Sequence, residues 1–542
     1  MILIYLYLIS FSLIGYGMIV SKVLSINLSC FGIYGILGIT FLGIISYVSS
    51  IFISHNIIFN SVILLIGLLL FLYNIILINN FKREFFILCV TCFFAIIFIL
   101  IAKNHDDFPY YHFPYISLLT EYSHPIGIGV LNNGFRSPSS IFFISSMFYL
   151  PKSEIFLFHL TPAFIQIFAN IVFLKMIFDK KIFSQNKFYN FYSLFAFCFI
   201  NIFFYRLAEH GTDRSGMILL LIAFVYLIHI CTLEKKLVKN SSDLFKIFVI
   251  LIFFVVSIKP FYLINLLLFI IIFYYGHTRK IFSKLLFTPV FFYSLSFLFF
   301  TIFFTFLNSG CLIFPINQTC FYNLEWSLNK EIIQDVKVWF ELWSKSGARP
   351  NFVVENRIEY ISDFNWLNSW FQNYFFNKVS DFLLGIFFTI LIFYLIFYRP
   401  NIKKKTKISN YHLFYVFLIF CLVEWFLKHP SLRYGGYHIL ALIFFIPASL
   451  HLSKLKLNFD DYYKKTLILV LVVVTIFISR NTQRLINENK LYDYNILKNP
   501  NYKFIGGDKN FYFRYNNSIK ENIDKINQKN YFGKKILILG NK

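Results

Sequence analysis

Long runs of apolar residues alternate with short polar segments along the whole chain. Many of these runs extend over about 15–24 residues, which is too long and too continuous for the alternating strands of a membrane β-barrel. They suit helices, because about 20 apolar residues are needed to cross the hydrocarbon core of a bilayer. The pattern therefore predicts an all-α, polytopic integral membrane protein with about 13–14 transmembrane helices.

The apolar runs define the predicted spans. Two short runs are separated only by Lys259-Pro260, and proline breaks a helix because it removes a donor and clashes with the preceding turn. We therefore expect two short helices that turn at Lys259. The chain is apolar from Ile2 onward with no basic segment before it, which predicts a first span rather than a cleaved signal. The predicted spans are residues 2–20, 31–53, 57–79, 85–102, 154–178, 189–205, 216–233, 247–258, 261–276, 285–307, 380–398, 413–427, 438–452 and 465–480.

The composition excludes soluble, disordered and fibrous proteins. Of the 542 residues, 58% are hydrophobic and 14% are charged, and the mean hydropathy is +0.66. An average soluble domain carries about 25% charged residues. The formal net charge of +24 would indicate nucleic acid as a partner of a soluble protein. Here most of the excess lies in short loops between apolar runs, so we expect a lipid bilayer as the environment and no nucleic-acid partner.

Lysine and arginine are distributed unevenly between alternate loops. One set of loops holds 21 of them in 63 residues, and the other set holds 7 in 60. Because positive residues concentrate on the cytoplasmic side of a membrane, the first set is predicted to be cytoplasmic. That set comprises residues 80–84, 179–188, 234–246, 277–284, 399–412 and 453–465.

Residues 1–480 form the predicted multi-span domain, and two of its extracytoplasmic segments are large, 103–153 and 308–379. The tail 481–542 carries 12 basic against 5 acidic residues, which favours the cytoplasm, whereas the number of spans places it outside. Since long segments follow the charge rule poorly, we expect an extracytoplasmic tail.

The segment 308–379 contains Cys311 and Cys320, nine residues apart on the predicted oxidising side. We predict a disulfide between them, and the alternative is two free buried thiols. Five of the six tryptophans also lie in this segment, where they would bind the faces of sugars or anchor helices at the membrane interface. They are Trp326, Trp339, Trp343, Trp366 and Trp370.

Three carboxylates lie at the predicted outer ends of spans. Asp106 and Asp107 follow the fourth predicted span, and Asp213 precedes a later one. Carboxylates at a low-dielectric boundary are costly unless they are paired or functional. One of them could act as a general base on an attacking hydroxyl, and together they could bind a divalent metal. The alternative is that they only cap helices.

Two cations are placed to bind an anion on the same predicted side. Lys259 lies at the turn between the two short helices, and irregular backbone at membrane depth is tolerated where it lines a polar cavity. Arg433 offers a bidentate fork for phosphate beside the pair Gly435-Gly436. The alternative for Lys259 is a side chain that extends to the membrane–water interface. The alternative for Arg433 is an arginine at that interface in a tight turn. The spacing of His105, His112 and His124 matches no zinc site, so structural or hydrogen-bonding roles are expected for them.

The ordered set of these motifs resembles the GT-C superfamily of membrane glycosyltransferases, especially bacterial relatives of protein mannosyltransferases that use polyprenyl-phosphate sugars. That group often carries an outer-loop Asp followed by a Tyr-His-x-Pro element, and Asp107 followed by Tyr111-His112-Phe113-Pro114 matches this spacing. Asp213 at the start of a later span, Lys259-Pro260 at a helix break and Arg433-Tyr434 before a late span are similar to further motifs of the group. The carboxylate loop follows the fourth predicted span here, whereas it usually follows the first in that family.

The resemblance implies a membrane glycosyltransferase of the inverting type. It would transfer a sugar from a polyprenyl-phosphate donor to a lipid-linked or surface glycan acceptor, at the periplasmic face of a bacterial inner (cytoplasmic) membrane. Asp107 would be the catalytic base, and Asp106 and Asp213 would assist it or bind a divalent metal, Mg²⁺ or Mn²⁺; no other cofactor is implied. The residues expected to hold the donor phosphate are Lys259, Arg433, His112 and Tyr434.

Two other functions match parts of the pattern. An O-antigen polymerase or ligase also uses outer-face Arg and His residues on lipid-linked sugars, but it does not need the element that begins at Asp107. A lipid-oligosaccharide transporter places charged groups at the bilayer midplane. The predicted spans carry little charge at their centres, with Glu424 as the main exception.

Overall fold

A computed structural model of the chain describes residues 1–28, 30–75, 81–101, 105, 107–209, 211–232, 238–349, 352–398, 411–492, 496, 527–531 and 534–538. These residues are predominantly helical. The α-helices are α1 (Ile2–Val23), α2 (Phe31–Phe52), α3 (Ile57–Asn74), α4 (Phe81–Ile99), α5 (Phe113–Glu121), α6 (Ser140–Ser146), α7 (Leu160–Ile177), α8 (Lys180–Gln185), α9 (Phe188–Ile202), α10 (Thr212–Thr232), α11 (Val238–Ile258), α12 (Leu268–Tyr274), α13 (Gly276–Leu285), α14 (Pro289–Ser309), α15 (Lys330–Lys345), α16 (Arg357–Ile361), α17 (Leu367–Trp370), α18 (Ser380–Phe397), α19 (His412–Lys428), α20 (Gly436–Ser453) and α21 (Phe459–Tyr492).

Shorter elements complete the described chain. Two π-helical segments cover Phe108–His112 and Phe371–Val379, and a 3₁₀ segment of eight residues covers Pro260–Leu267. Two short strands near the C-terminus, β1 (Asn527–Tyr531) and β2 (Lys534–Ile538), pair antiparallel, with Asn527 opposite Ile538. The further 3₁₀ turns are Ile128–Val130, Asn133–Phe135, Ile155–Leu157, Leu207–Glu209, Asn317–Thr319 and Leu432–Tyr434.

Nine helices among the described residues are long and apolar enough to cross a membrane, or ten if the bent pair α12–α13 is one span. The protein is thus a multi-pass helical membrane protein, with fewer clear spans than the 13–14 predicted. Helices α9 and α19 lie at predicted spans but have only 15 and 17 residues, short of the about 20 that a crossing needs. The nine helices are Ile2–Val23, Phe31–Phe52, Ile57–Asn74, Ile155–Ile177, Thr212–Cys231, Pro289–Ser309, Leu367–Phe397, Gly436–Ser453 and Phe459–Leu491.

The core of the bundle surrounds α10. This helix packs against α7, α9, α11 and α20. Of its most apolar stretch, 89% of the residues are buried inside the protein. Helix α3 is peripheral, because only 28% of its residues are buried. It exposes large apolar side chains such as Leu65 and Leu69. In water this surface would be unfavourable, but lipid tails solvate it, so α3 lies where a lipid-facing helix is expected.

Helices α1 and α2 pack closely because glycines lie at their contact. A Cβ atom added at Gly38 of α2 would overlap the carbonyl oxygen of Leu13 in α1, and one at Gly17 would overlap the carbonyl oxygen of Tyr34. In a membrane, small residues at such contacts let helix backbones approach, and the resulting van der Waals packing holds the pair together.

One end of the bundle collects the loops that are predicted to be cytoplasmic, and it is termed the basic face. There the Nζ atom of Lys175 lies 2.8 Å from Oε1 of Glu84, at the start of α4. Lys187 donates to the carbonyl oxygen of Leu455 at 2.9 Å, and Lys246 donates to that of Ser25 at 2.5 Å. Loops far apart in the sequence therefore meet on one side, as the charge distribution predicts.

The opposite end is termed the site face. His105 and Glu209 meet there through a backbone hydrogen bond of 3.0 Å, and Arg484 of α21 forms an ion pair with Glu209. The last helix thus ends on the site face, which is the side predicted for the tail. Of the predicted tail 481–542, only the end of α21, residue 496 and the two strands are among the described residues.

The predicted outer segment 308–379 folds against the site face. Cys311 and Cys320, the predicted pair, form a disulfide with their Cα atoms 3.9 Å apart. Helix α15 follows, and its C-terminal turn is fixed by Lys345, which donates to Glu341 at 2.6 Å and to the carbonyl oxygen of Ile361 at 2.7 Å. The segment is therefore a structured cap.

Candidate functional site

Four charged side chains from four separate segments meet at the site face and are termed the charge cluster. Arg433 donates from Nη2 to Asp107 Oδ2 and from Nε to Asp213 Oδ2, the latter at 2.5 Å. The Nζ atom of Lys259 lies 3.5 Å from Oδ1 of Asp213. Two carboxylates and two cations therefore balance each other, as groups removed from bulk water require.

Asp107 immediately precedes the π-helical segment Phe108–His112. The hydroxyl of Tyr111, one turn later, donates to Asp107 Oδ2 at 3.4 Å. Nδ1 of His105 accepts a hydrogen bond of 3.1 Å from the backbone N–H of Asp107 and lies 3.6 Å from Oδ2. The carboxylate is thus oriented by its own loop as well as by Arg433.

Asp213 lies in the first turn of α10, where the partial positive charge of the helix N-terminus favours a carboxylate. Its backbone carbonyl accepts a hydrogen bond of 2.5 Å from the hydroxyl of Tyr262. Gly216, one turn along α10, allows this contact, because a Cβ atom there would overlap the Tyr262 ring. The start of α10 is thereby fixed to the segment that follows Lys259.

Lys259 has extended backbone between α11 and the 3₁₀ segment Pro260–Leu267, with φ −153° and ψ 133°. A residue that precedes proline is pushed out of the helical region by the proline Cδ, so Pro260 holds Lys259 in this conformation. Its ammonium lies 5.8 Å from the centre of the Tyr111 ring. The sequence pair Lys-Pro thus produces the predicted turn and directs the lysine into the cluster.

Three aromatic side chains, all buried, fix the loop that carries Arg433. The indole of Trp370 donates to the carbonyl of Pro430 at 2.7 Å, that of Trp425 donates to the carbonyl of Ser431 at 2.7 Å, and the hydroxyl of Tyr374 accepts from the N–H of Leu432 at 2.9 Å. The loop then turns at Gly435, whose φ of +99° is rarely adopted by residues with a side chain. The position of Arg433 is therefore set by packing outside its own loop.

The cap contributes an aromatic wall to the cluster. The ring of Trp343 in α15 lies 5.9 Å from the guanidinium carbon of Arg433 and 5.4 Å from the ring of Tyr434. A cation near an aromatic ring gains electrostatic stabilisation from the ring quadrupole. Trp343 thus joins the predicted outer segment to the cluster.

The surroundings keep Asp107 ionised. Burial alone would raise the pKa of its carboxyl group, but the positive charges of Arg433 and Lys259 and the hydrogen bond from Arg433 outweigh burial and hold the pKa below the ordinary value of 3.8. The phenol of Tyr111 has the opposite shift, because burial and the charge of Asp107 raise its pKa well above 10.0. Around neutral pH the cluster therefore contains a charged carboxylate beside a neutral phenol.

The structure brings together four of the predicted site residues, Asp107, Asp213, Lys259 and Arg433, and it places Tyr434 beside them. The imidazole of His112 is buried, with its ring centre 4.9 Å from that of Phe142 and 4.4 Å from that of Tyr111. That His112 binds phosphate stays a prediction. Asp106 lies outside the described residues.

A divalent metal does not suit the arrangement of the described residues. Among them, no group of three or more His, Cys, Asp and Glu side chains is placed to hold a metal ion. The guanidinium of Arg433 lies between Asp107 and Asp213, where a metal that bridges both carboxylates would have to be. Asp106, the third carboxylate of the predicted metal set, lies outside the described residues, and the divalent metal stays a prediction.

Several positioning residues were not predicted from the sequence. Tyr262, Tyr374 and Trp425 carry no local signal, because they lie in apolar segments rich in aromatic residues and become distinctive only through their partners. Trp343 and Trp370 were singled out only as two of five tryptophans. The contact of Trp343 with Arg433 and the hydrogen bond of Trp370 to Pro430 distinguish them.

A family model described as a domain of unknown function (DUF8201) matches residues 1–441. The matched region covers most of the chain and contains all four residues of the charge cluster, and it ends within α20. The chain therefore belongs to this family. No curated protein and no solved structure matches the chain.

Proposed function

We propose that this member of the DUF8201 family is a membrane glycosyltransferase that moves a sugar from a polyprenyl-phosphate donor to a glycan or lipid acceptor. The reaction would take place at the site face, on the extracytoplasmic side of a bacterial inner membrane. The charge cluster carries the proposal, because Asp107, Asp213, Lys259 and Arg433 converge from four segments although no two are close in sequence.

The two carboxylates of the cluster have different access to solvent, and this difference assigns their roles. The side chain of Asp107 is 25% exposed, whereas that of Asp213 is 8% exposed. A substrate hydroxyl can approach the first but not the second. We therefore assign Asp107 as the general base, and Asp213 as a positioning residue that holds Arg433 and Lys259.

Arg433 and Lys259 supply the positive charge that a phosphate leaving group needs. Among the described residues, the carboxylates pair with Nε and Nη2 of Arg433, and Nη1 is available there to a further anion. An incoming phosphate competes with Asp107 for the guanidinium. The bound phosphate neutralises part of the positive charge of Arg433, so the pKa of Asp107 rises. Its carboxylate is therefore a stronger base when the donor is bound.

The proposed step is a single displacement. Asp107 accepts the proton of the acceptor hydroxyl, and the hydroxyl oxygen forms a bond to the anomeric carbon. The bond from that carbon to the phosphate oxygen breaks, and its electron pair remains on the polyprenyl phosphate. Arg433 and Lys259 stabilise the negative charge that develops on this oxygen, a type of electrostatic assistance that typically supplies a large part of catalysis.

The test compares a deletion strain complemented with wild type, with Asp107→Asn or with Asp335→Asn. Asp335 is the matched control, since it is a 67% exposed carboxylate on the cap that pairs with Arg357 at 3.0 Å. Lipid-linked sugars and surface glycans are profiled by mass spectrometry. We expect Asp107→Asn to be made at the normal level, to lack one sugar in the surface glycan and to accumulate a polyprenyl-phosphate sugar, whereas Asp335→Asn gives the wild-type profile.

Other profiles would indicate the competing functions. A polymerase or ligase would leave complete lipid-linked oligosaccharide units unpolymerised or untransferred, and a transporter would leave such units on the cytoplasmic side. A wild-type profile in the Asp107→Asn strain would show that Asp107 is structural and would contradict the proposal.

A further inference from the structure

A cavity lies at the basic face, at the opposite end of the bundle from the charge cluster. Its volume is about 390 Å³, and its walls come from the end of α1, the cytoplasmic half of α11, helix α13 and the start of α14. Val23, Leu24, Leu285 and Val290 make part of the lining apolar, and Lys246 and Lys284 add two cations. The catalytic proposal uses none of these residues.

The two lysines of the cavity differ in their surroundings. Lys246 is held in the wall, because its Nζ atom donates to the carbonyl oxygen of Ser25 at 2.5 Å and lies 3.4 Å from Oδ1 of Asp243. Lys284 is exposed and makes no ion pair with any described residue. Among the described residues, Asp243 pairs with Lys246, and Lys284 is a cation of the cavity lining that is available to an outside anion.

Helix α13 has the character of a helix at a membrane surface. It is bent by 117° from the segment before it. Its apolar residues Phe282 and Leu285 are buried, whereas Arg279, Lys280 and Lys284 are exposed. Phe287 follows with 83% of its surface exposed. A basic amphipathic helix beside an exposed aromatic ring is typical of the layer of lipid headgroups.

We propose that this cavity binds the phosphate headgroup of an anionic membrane phospholipid. Lys284 and Lys246 would meet the phosphate, and the apolar wall formed by Leu24, Leu285 and Val290 would contact the first carbons of the acyl chains. Basic pockets between transmembrane helices on the cytoplasmic side have the chemistry that such headgroups require. A soluble phosphate would gain from the lysines but not from the apolar wall, which favours the lipid.

The test uses the full-length protein purified in detergent and native mass spectrometry with phosphatidylglycerol or phosphatidylcholine. Wild type is expected to retain phosphatidylglycerol at least about fivefold more strongly than phosphatidylcholine, and Lys284→Gln should lose about fivefold in retention of the anionic lipid. The double variant Lys246→Gln/Lys284→Gln should lose more. Lys180→Gln/Lys181→Gln is the matched control, because both lysines are exposed on the same face but do not line the cavity.

Equal retention of the two lipids, or equal losses in the cavity and control variants, would overturn the proposal. Lys284→Gln keeps the test interpretable if the loss of the Lys246 bond to Ser25 disturbs folding, since Lys284 is exposed and forms no ion pair with the described residues. Inorganic phosphate is added as a separate competitor. Displacement of phosphatidylglycerol by an equal concentration of inorganic phosphate would assign the cavity to a soluble phosphate and would overturn the lipid assignment.

Discussion

Arg433 donates a hydrogen bond to Asp107 across 326 positions of the chain. The same guanidinium donates to Asp213, so one side chain from a late loop neutralises two carboxylates from earlier ones. This bridge ties the segment after α4, the start of α10 and the loop before α20 into a single site. The chemistry proposed for the protein and the stability of its site face both depend on it.

The bridge predicts a loss of stability when Arg433 is removed. Arg433→Gln leaves the carboxylate of Asp213, which is 8% exposed, without its strongest partner. Removing one partner of a buried ion pair typically costs about 3 kcal/mol or more. The midpoint of thermal denaturation in detergent should therefore fall clearly, and Arg433→Gln/Asp213→Asn should recover part of the loss.

The control for this prediction is Arg357→Gln, which removes the exposed pair with Asp335. Exposed pairs are worth about 0–1 kcal/mol, so the midpoint should hardly change. Equal midpoints for Arg433→Gln and the control would show that the bridge contributes little to stability.

A pH dependence follows from the shifted pKa of Asp107. The pKa in the folded protein is below the ordinary 3.8, so the ionised carboxylate contributes stability that is present above 3.8 and is lost as the pH falls through the lower folded value. In Arg433→Gln the largest opposing charge is gone and burial raises the pKa. The sign of the pH dependence then reverses, and acidification towards about pH 3 should cost this variant less stability than it costs wild type.

The pH prediction is measured as the denaturation midpoint of both proteins between about pH 2.5 and pH 7, a range that extends below the ordinary pKa of aspartate. Asp107→Asn serves as the reference for a site without this titration. Parallel curves for wild type and Arg433→Gln would contradict the assignment of Arg433 as the group that lowers the pKa.

Trp343 provides a test of the cap. Trp343→Ala removes the ring that lies 5.9 Å from the guanidinium of Arg433, and cation–π contacts are worth about 0.5–2 kcal/mol. We expect a reduction of glycan transfer by about two- to thirtyfold with the protein made at the normal level. Trp339→Ala is the matched control, because Trp339 is in the same helix, is 41% exposed and contacts the ring of Phe340. Equal glycan transfer by the two variants would show that Trp343 of the cap does not contribute to the site.

The sidedness of the last helix can be measured by cysteine labelling in intact cells. The contact of Arg484 with Glu209 places the end of α21 on the site face. Gln483→Cys and Asp335→Cys should therefore react together with an impermeant maleimide, whereas Lys181→Cys should react only after permeabilisation. Labelling of Gln483→Cys together with Lys181→Cys would place the end of α21 on the other side.

Much of the architecture could be predicted from the sequence because the bilayer imposes strong rules. Apolar runs must become helices in a medium that offers no partners to backbone groups, and Lys259-Pro260 had to interrupt one of them. The number of spans was less predictable. Hydropathy registers the apolar character of α9 and α19 but not where each helix ends, and they are only 15 and 17 residues long.

The site was predictable only at the level of residue types and loops. Asp107, Asp213, Lys259 and Arg433 stand at the ends of apolar runs, where a charge is costly, and this is visible in the sequence. The roles within the site were not visible. His112 and Tyr111 are neighbours in one motif, yet the π-helical turn buries the first and directs the hydroxyl of the second to Asp107.

The sequence by itself determined that this protein is a helical membrane protein with its unusual charges at the ends of its helices, because hydrophobicity and helix breaking act locally. The tertiary structure alone decided that Arg433 lies between two carboxylates and that Trp343 covers it. Those distances depend on how the segments that carry Asp107, Lys259 and Arg433 pack at the start of α10, and on the aromatic residues that fix the Arg433 loop. Packing of this kind joins residues hundreds of positions apart, and no local pattern in the chain encodes it.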